Sequence, residues 1–355
     1  MDSKLALNIT LLILLLYIVF RFIGKRFRAA RNPPVESFSL STSADSELQS
    51  IIDNSTTAGV SRIQGVSKPG SGMQLKEYCI KASHGSATTG KYVHVDMVKH
   101  VLSRGCRLLD FDVFYVNENN LFLPKVGFST DSNNHFVESK NTVLLDDVFG
   151  AIVSNAFSQV SPNRTDPLFI NLRIKSNDSA VYSAVAKSIH AKLNSVLYPD
   201  KVTKDTLFKD LMGKVVIVVD KTVRRDYKSF AKCDNEDKSC YDIDNYINIE
   251  SGSEDLNLYH YTDLLEQAAS PSLIKDDNTR TTVKTITMAI PDVVSSPANP
   301  RIDEFITKYA CQIVACRFHL LDDNLQRYEM MFDNNSAGCV PLAVALAYTV
   351  RLRDE

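Results

Sequence analysis

Along most of the chain, short apolar runs alternate with longer stretches in which apolar residues return at helical spacing. "EYCIKAS" is the first short run. "VDMVKHVLSRG" follows it, with Val95, Val98, Val101 and Leu102 on one helical face. Then come "CRLLDFDVFYV" and "LFLPKVGF", the helix-like "LLDDVFGAIVSNAF", the strand "PLFINLRI", the helix "AVYSAVAKSIHAKLNSVL" and the strand "GKVVIVVDK". This alternation predicts parallel strands joined by crossover helices, an α/β fold that could close as a barrel. The later runs "TVKTITMAI", "CQIVACRF" and "CVPLAVALAYTV" are enough to complete one.

Two segments fall outside the alternation. Leu5–Gly24, "LALNITLLILLLYIVFRFIG", approaches the roughly 20 apolar residues that a helix needs to cross a bilayer. Lys25, Arg26, Arg28 and Arg31 follow it, against Lys4 alone before it, which predicts a retained anchor with the bulk of the chain on the cytosolic side. A cleaved signal peptide would carry its basic residues ahead of the apolar run. Arg31 to about Gly72 is rich in Ser, Thr, Pro and Gly and reads as a flexible tether. The second exception is roughly Cys233–Asp255. Its eight acidic residues face Lys238 alone, but no calcium loop with a central Gly and terminal Glu fits there, so it reads as a solvated insert. The expected divisions are an anchor over 1–30, a tether over 31–72, a half barrel over 73–222, an acidic insert or linker over 223–272 and a second half barrel over 273–355.

Composition changes this picture little. The 355 residues are 44% hydrophobic and 23% charged, ordinary globular values, and the net charge of -2 gives no reason to expect a nucleic-acid partner. Seven cysteines are scattered without a zinc pattern or a disulfide framework, which predicts a reducing compartment.

Barrel enzymes carry their chemistry at the carboxyl ends of the strands. Those ends hold His84, then Asp110 and Asp112, whose spacing puts both carboxylates on one face of a strand. Arg173 and Lys175 follow, then Asp220 and Lys221. A histidine, paired carboxylates and basic groups would suit a phosphate ester, with a base for a hydroxyl proton and cations for phosphoryl charge.

"CIKASHGSATTGK…SRGCRLLDFDVF" resembles the opening of the X region of phosphoinositide-specific phospholipase C. "DPLFINLRI" and "LFKDLMGKVVIVVDK" are similar to later strands of that region, and "NPRIDEFITKYACQIVACRF" is similar to part of the Y region. The resemblance implies a distorted TIM-type (β/α)8 barrel with X-like and Y-like halves. It also implies a phosphoric diester hydrolase of membrane phosphoinositides that uses calcium and two histidines. His84 falls on the first catalytic histidine, and Asp110 and Asp112 fall on calcium ligands. Gly85 and Arg173 stand where two further ligands belong, about Phe128 where the second histidine belongs, and Met288 where a Y-region arginine belongs. The lysines expected to grip headgroup phosphates fall near Val218 and Asp220, with only Lys221 close by.

A cation at Arg173 is incompatible with a calcium site, so no cofactor is expected. His84 and Arg173 are the candidate catalytic residues, Lys175 and Lys221 the candidate substrate contacts, and Asp110 and Asp112 the residual metal positions. His135 is a candidate proton donor from a loop, and His94, His100, His190, His260 and His319 receive no role. Three readings follow. The first is a membrane-anchored, catalytically impaired barrel that binds phosphoinositide headgroups or a protein partner. The second is a calcium-independent phosphodiesterase. The third is a structural membrane protein, with a viral membrane among the compartments because virally encoded X-region proteins look similar.

Overall fold

The structure, a computed structural model, describes residues 43–56, 62–67, 69–130, 136–231, 233, 239–267, 273–275, 281–292 and 298–354. Eight strands run parallel: β1 Ala82–Ser83, β2 Leu108–Glu118, β3 Leu168–Ile174, β4 Val215–Asp220, β5 Ile249–Ser251, β6 Leu256–His260, β7 Ile286–Ile290 and β8 Ile313–Cys316. Each pairs with its neighbour in chain order. The sheet closes where β8 meets β1, through Ala315↔Ala82 and Cys316↔Ser83. The thinnest seam joins β5 to β6 by the single pair Ser251↔Leu256, since the connection Gly252–Asp255 carries no helix. This is a TIM-type barrel, distorted at that seam. β2 overshoots the barrel and turns back as a hairpin with Leu121–Gly127.

Two-residue periodicity divides each strand between two cores. Leu168, Ile170, Leu172 and Ile174 of β3 face the surrounding helices, as do Val215, Ile217 and Val219 of β4. Phe169, Val216, Val218, Ile286, Met288, Ile313 and Ala315 fill the barrel interior. Both faces of a parallel barrel are covered, which is why its strands read as continuous apolar runs. The covering helices are α1 Ala44–Thr56, α2 Val95–Ser103, α3 Leu145–Asn155, α4 Ala180–Leu193, α5 Tyr227–Phe230, α6 Tyr261–Glu266, α7 Ile302–Tyr309, α8 Asp323–Asn334 and α9 Leu342–Asp354.

Several expectations are corrected. The stretch read as tether contains α1, whose Leu48 and Ile51 are buried in the outer core. The stretch read as acidic insert supplies β5 and β6, which were hidden because they are short and interleave polar residues. Its carboxylates are not left opposed by Lys238 alone. Asp244 lies 3.1 Å from Lys228 and 3.4 Å from Lys201, and Asp255 lies 3.5 Å from Lys204. The last apolar run is no barrel strand. Cys339–Pro341 pairs antiparallel with Tyr78–Ile80, and α9 follows. Cys233 and Cys240 form a disulfide, against the expectation of none, because the chain between them brings their Cα atoms to 5.6 Å. Cys79, Cys106, Cys311, Cys316 and Cys339 are buried thiols.

Among the described residues no helix is long and apolar enough to cross a membrane. The anchor expected over Leu5–Gly24 lies outside the described residues.

Candidate active site

The inward faces of β2, β3, β4 and β6 begin apolar and end polar. β2 reads Leu108, Asp110, Asp112 along this face, and β3 reads Phe169, Asn171, Arg173, with Lys175 just beyond. β4 ends in Asp220 and β6 in His260. Ile313 and Ala315 of β8 are followed, beyond the end of the strand, by Arg317 and His319. The apolar layer floors a cavity of about 350 Å³ at the carboxyl ends of the strands, with His84 on the rim and Phe128, Arg173 and Lys175 in its lining.

The centre of this cavity is a network of buried ions. His84 Nδ1 lies 2.8 Å from Asp110 Oδ2. Arg173 Nη2 lies 3.0 Å from Asp110 Oδ2 and 3.0 Å from Asp112 Oδ1, so one nitrogen bridges the two carboxylates. Lys175 Nζ lies 2.9 Å from Asp112 Oδ2. Neutral donors complete the set. Asn171 Nδ2 donates to Asp110 Oδ1 at 2.8 Å, Gly85 N–H to Asp110 Oδ2 at 3.2 Å and Ser129 N–H to Asp112 Oδ2 at 3.3 Å. Each of the four carboxylate oxygens therefore already faces a nitrogen.

Protonation follows from this arrangement. Burial raises the Asp110 carboxyl, but Arg173 and His84 outweigh it and hold the group well below the usual carboxylate range. Burial lowers His84, and the Arg173 charge lowers it further against the pull of Asp110. Burial would lower Arg173, yet Asp110 and Asp112 raise it, so the guanidinium stays charged. Burial raises Asp220 despite two hydrogen bonds from Thr222. The imidazole of His84 is thus neutral near pH 7. The carboxylate beside Nδ1 favours the tautomer that carries its proton there, which leaves Nε2 as an acceptor.

The structure brings His84, Asp110, Asp112, Arg173 and Lys175 together. It does not bring Lys221 to the cavity, because that side chain turns to Glu250, whose Oε2 lies 3.8 Å away. His135 lies outside the described residues. Phe128 lines the cavity where the second histidine was expected, and Met288 is buried in the apolar floor. Sequence reasoning missed Asn171, His260, Arg317 and His319. His260 Nδ1 donates to the Pro291 carbonyl oxygen at 2.9 Å, and Arg317 and His319 line the same cavity. The signal was present in part. Asn171 and His260, at the end of "LNLYH", fall on the strand parity that selected Asp110 and Asp112, whereas Arg317 and His319 lie within three residues of the end of β8, past its last strand residue.

Comparison with known proteins agrees with this architecture. Residues 72–221 match the family described as Phosphatidylinositol-specific phospholipase C, X domain. No curated protein matches. The fold is similar to PLC21 of L. pealei, at 18% identity and a TM-score of 0.57, over 76% of this chain and 37% of that one. It is likewise similar to PLC21 of S. officinalis, at 20% identity and a TM-score of 0.54, with the same coverage of 76% and 37%. This chain therefore spans little more than a third of the length of those proteins. A closed parallel barrel with charged strand ends and an X-domain sequence is a phospholipase C-like phosphodiesterase fold. Residues 72–221 are thus similar in sequence to that X domain, and the fold as a whole is similar to that of the two phospholipases.

Proposed function

We propose that the protein is a membrane-anchored, phospholipase C-like barrel whose cavity binds a phosphoinositide headgroup and whose calcium-dependent hydrolysis is lost. The observation that carries this reading is the Arg173 nitrogen 3.0 Å from both Asp110 and Asp112. Calcium takes six to eight oxygen ligands and favours excess negative charge. Here the carboxylate oxygens face Arg173, Lys175, His84, Asn171 and two backbone N–H groups, and Gly85 offers no side-chain ligand atom. The residues do not fit calcium. Like charges about 4 Å apart repel by on the order of 4 kcal/mol at an effective dielectric near 20, and the divalent ion doubles that cost.

The anchor over Leu5–Gly24, with its basic flank, would tether the barrel to the cytosolic leaflet. Each basic residue near an anionic surface adds about 1 kcal/mol of attraction. A protein ligand in place of lipid remains the alternative occupant of this first reading.

A second reading, metal-independent cleavage by His84 and Arg173, is favoured by one specific observation. His84 is a half-buried neutral base beside a carboxylate, and the basic side chains of Arg317, His260 and His319 share its cavity. The experiment takes the full chain in lipid nanodiscs and follows release of inositol phosphates from phosphatidylinositol, with calcium, with chelator and with a His84→Ala control. Headgroup binding without release above the control is the expected result. Release that survives chelation and vanishes in the control establishes the second reading. Calcium-stimulated release overturns the loss of metal dependence.

A further inference from the structure

His319 stands apart from the other histidines of the cavity. His84 has Asp110 at its Nδ1 and His260 has the Pro291 carbonyl, whereas Nδ1 of His319 has no hydrogen-bond partner among the described residues. Its Nδ1 is fully buried. Buried polar atoms are nearly always paired, and a native exception calls for an absent partner. The backbone around it is not loose. The buried Asn299 accepts from Arg317 N–H at 2.6 Å and donates through Nδ2 to the carbonyls of Arg317 at 3.1 Å and Leu320 at 3.2 Å. An imidazole with an unpaired Nδ1 is thus held on a clamped backbone, just beyond the end of β8, facing the cavity that His84 enters from β1.

We propose that Arg317 and His319, just beyond the end of β8 and beside His84, form a phosphoryl-binding subsite. The proposal rests on the headgroup reading above and names residues that neither the sequence nor the family resemblance assigned. A guanidinium and an imidazole both line the cavity from the turn that follows β8, where they present N–H donors, and the guanidinium matches phosphate oxygens in pairs. Burial and the Arg317 charge hold His319 down to about 4, so its ring is neutral before a ligand enters. A phosphate anion opposes both effects and supplies the missing acceptor. Asp220 at the end of β4 and Asp292 just beyond β7 line the same cavity and suit hydroxyl groups, so the ligand class is a phosphorylated polyol, either free or as a lipid headgroup.

The test uses the full chain with 15N-labelled histidine in phosphatidylcholine nanodiscs. Inositol 1-phosphate, unphosphorylated inositol and inorganic phosphate are titrated separately, and a parallel sample carries phosphatidylinositol in the disc. The expected result is movement of the His319 ring resonances with inositol 1-phosphate or with the lipid, and at least a tenfold weaker affinity in His319→Gln at unchanged Tm. Saturation by the soluble ester identifies a free ligand, and a response confined to the phosphatidylinositol discs identifies the lipid. If the wild-type protein binds either ligand while the His319 resonances stay fixed and His319→Gln binds within twofold, the subsite is wrong and the headgroup reading stands. If neither ligand binds wild-type protein, both fall. Should the variant fail to fold, the wild-type ring resonances decide alone.

Discussion

At the scale of single residues, Arg173 is held more firmly than a surface ion pair would hold it. Its guanidinium is buried against Asp110 and Asp112, and both carboxylates are buried with it. Breaking a buried pair by deleting one member leaves an uncompensated charge, at a cost of about 3–5 kcal/mol. Arg173→Met should therefore lower stability by about that amount at pH 7. The double change Asp110→Asn with Arg173→Met should recover part of the loss, since it leaves fewer unpaired charges. Urea denaturation monitored by circular dichroism measures both. A loss below about 1 kcal/mol for Arg173→Met would show that Lys175 and His84 already satisfy the two carboxylates without it. Restoring the family's carboxylate by Arg173→Glu would gather three acidic groups in this buried position. The positive φ of 54° at Gly85 and the 2.9 Å approach of an added Cβ to Thr88 Oγ1 oppose rebuilding the other missing ligand.

At the scale of elements, the sequence was most legible where strands are long and apolar. β3 and β4 follow directly from "PLFINLRI" and "GKVVIVVDK", and their parity places Arg173 and Asp220 inside. The sequence was opaque where a strand is short and half polar, as in β5 and β6, and where a helix has weak apolar periodicity. α1 is of the second kind, and its role lies in tertiary contacts that no local pattern encodes. Glu47 Oε2 accepts from Thr89 Oγ1 at 2.9 Å, Lys91 N–H at 3.0 Å and Tyr92 N–H at 3.3 Å. One carboxylate oxygen thus pins the segment that runs from His84 to α2. Asp45 adds a contact of 3.0 Å to His94, the residue that caps α2. Hydrogen bonds to a charged group contribute about 1.5–3 kcal/mol each when buried and less when exposed. We expect Glu47→Ala to destabilise the protein by roughly 2 kcal/mol. It should also speed amide exchange over residues 85–92 while exchange in β3 and β4 changes only in proportion to global stability. Uniform acceleration across the barrel would show that Glu47 contributes to the fold as a whole and not to this segment. Removing α1 outright costs more, because burying Leu48 and Ile51 contributes about 1.5–3 kcal/mol apiece.

At the scale of the whole molecule, the displaced protonation equilibria add up to acid sensitivity, and the sign can be worked out group by group. Burial lowers His84, His100 and His319, the last two to about 4. For a base whose folded pKa is lowered, the unfolded chain takes up the proton first. Stability is then complete above the ordinary histidine value near 6.5 and is lost as the pH falls towards the folded value. Asp166 acts in the opposite sense. Burial raises it to about 6, against the hydrogen bond it accepts from Val66, so its contribution grows as the pH falls from about 6 towards 4. It offsets one histidine of the three. Below pH 4 the paired carboxylates follow. Burial opposes their ionisation, but Lys81 and Arg104 hold Glu329 at about 2, and Arg173 and His84 hold Asp110 well below its usual range. Both contribute stability that is present above the ordinary carboxylate value and lost as the pH drops through the folded one. Tm should be level from pH 8 to 7, decline between about 6.5 and 4, and fall more steeply below 4. In His319→Gln the middle slope should be shallower and the lowest limb unchanged. Scanning fluorimetry across that range checks the profile. A Tm that stays level from pH 7 to pH 4 would mean the buried histidines titrate close to their ordinary value, and that water enters the cavity freely enough to solvate their charged forms.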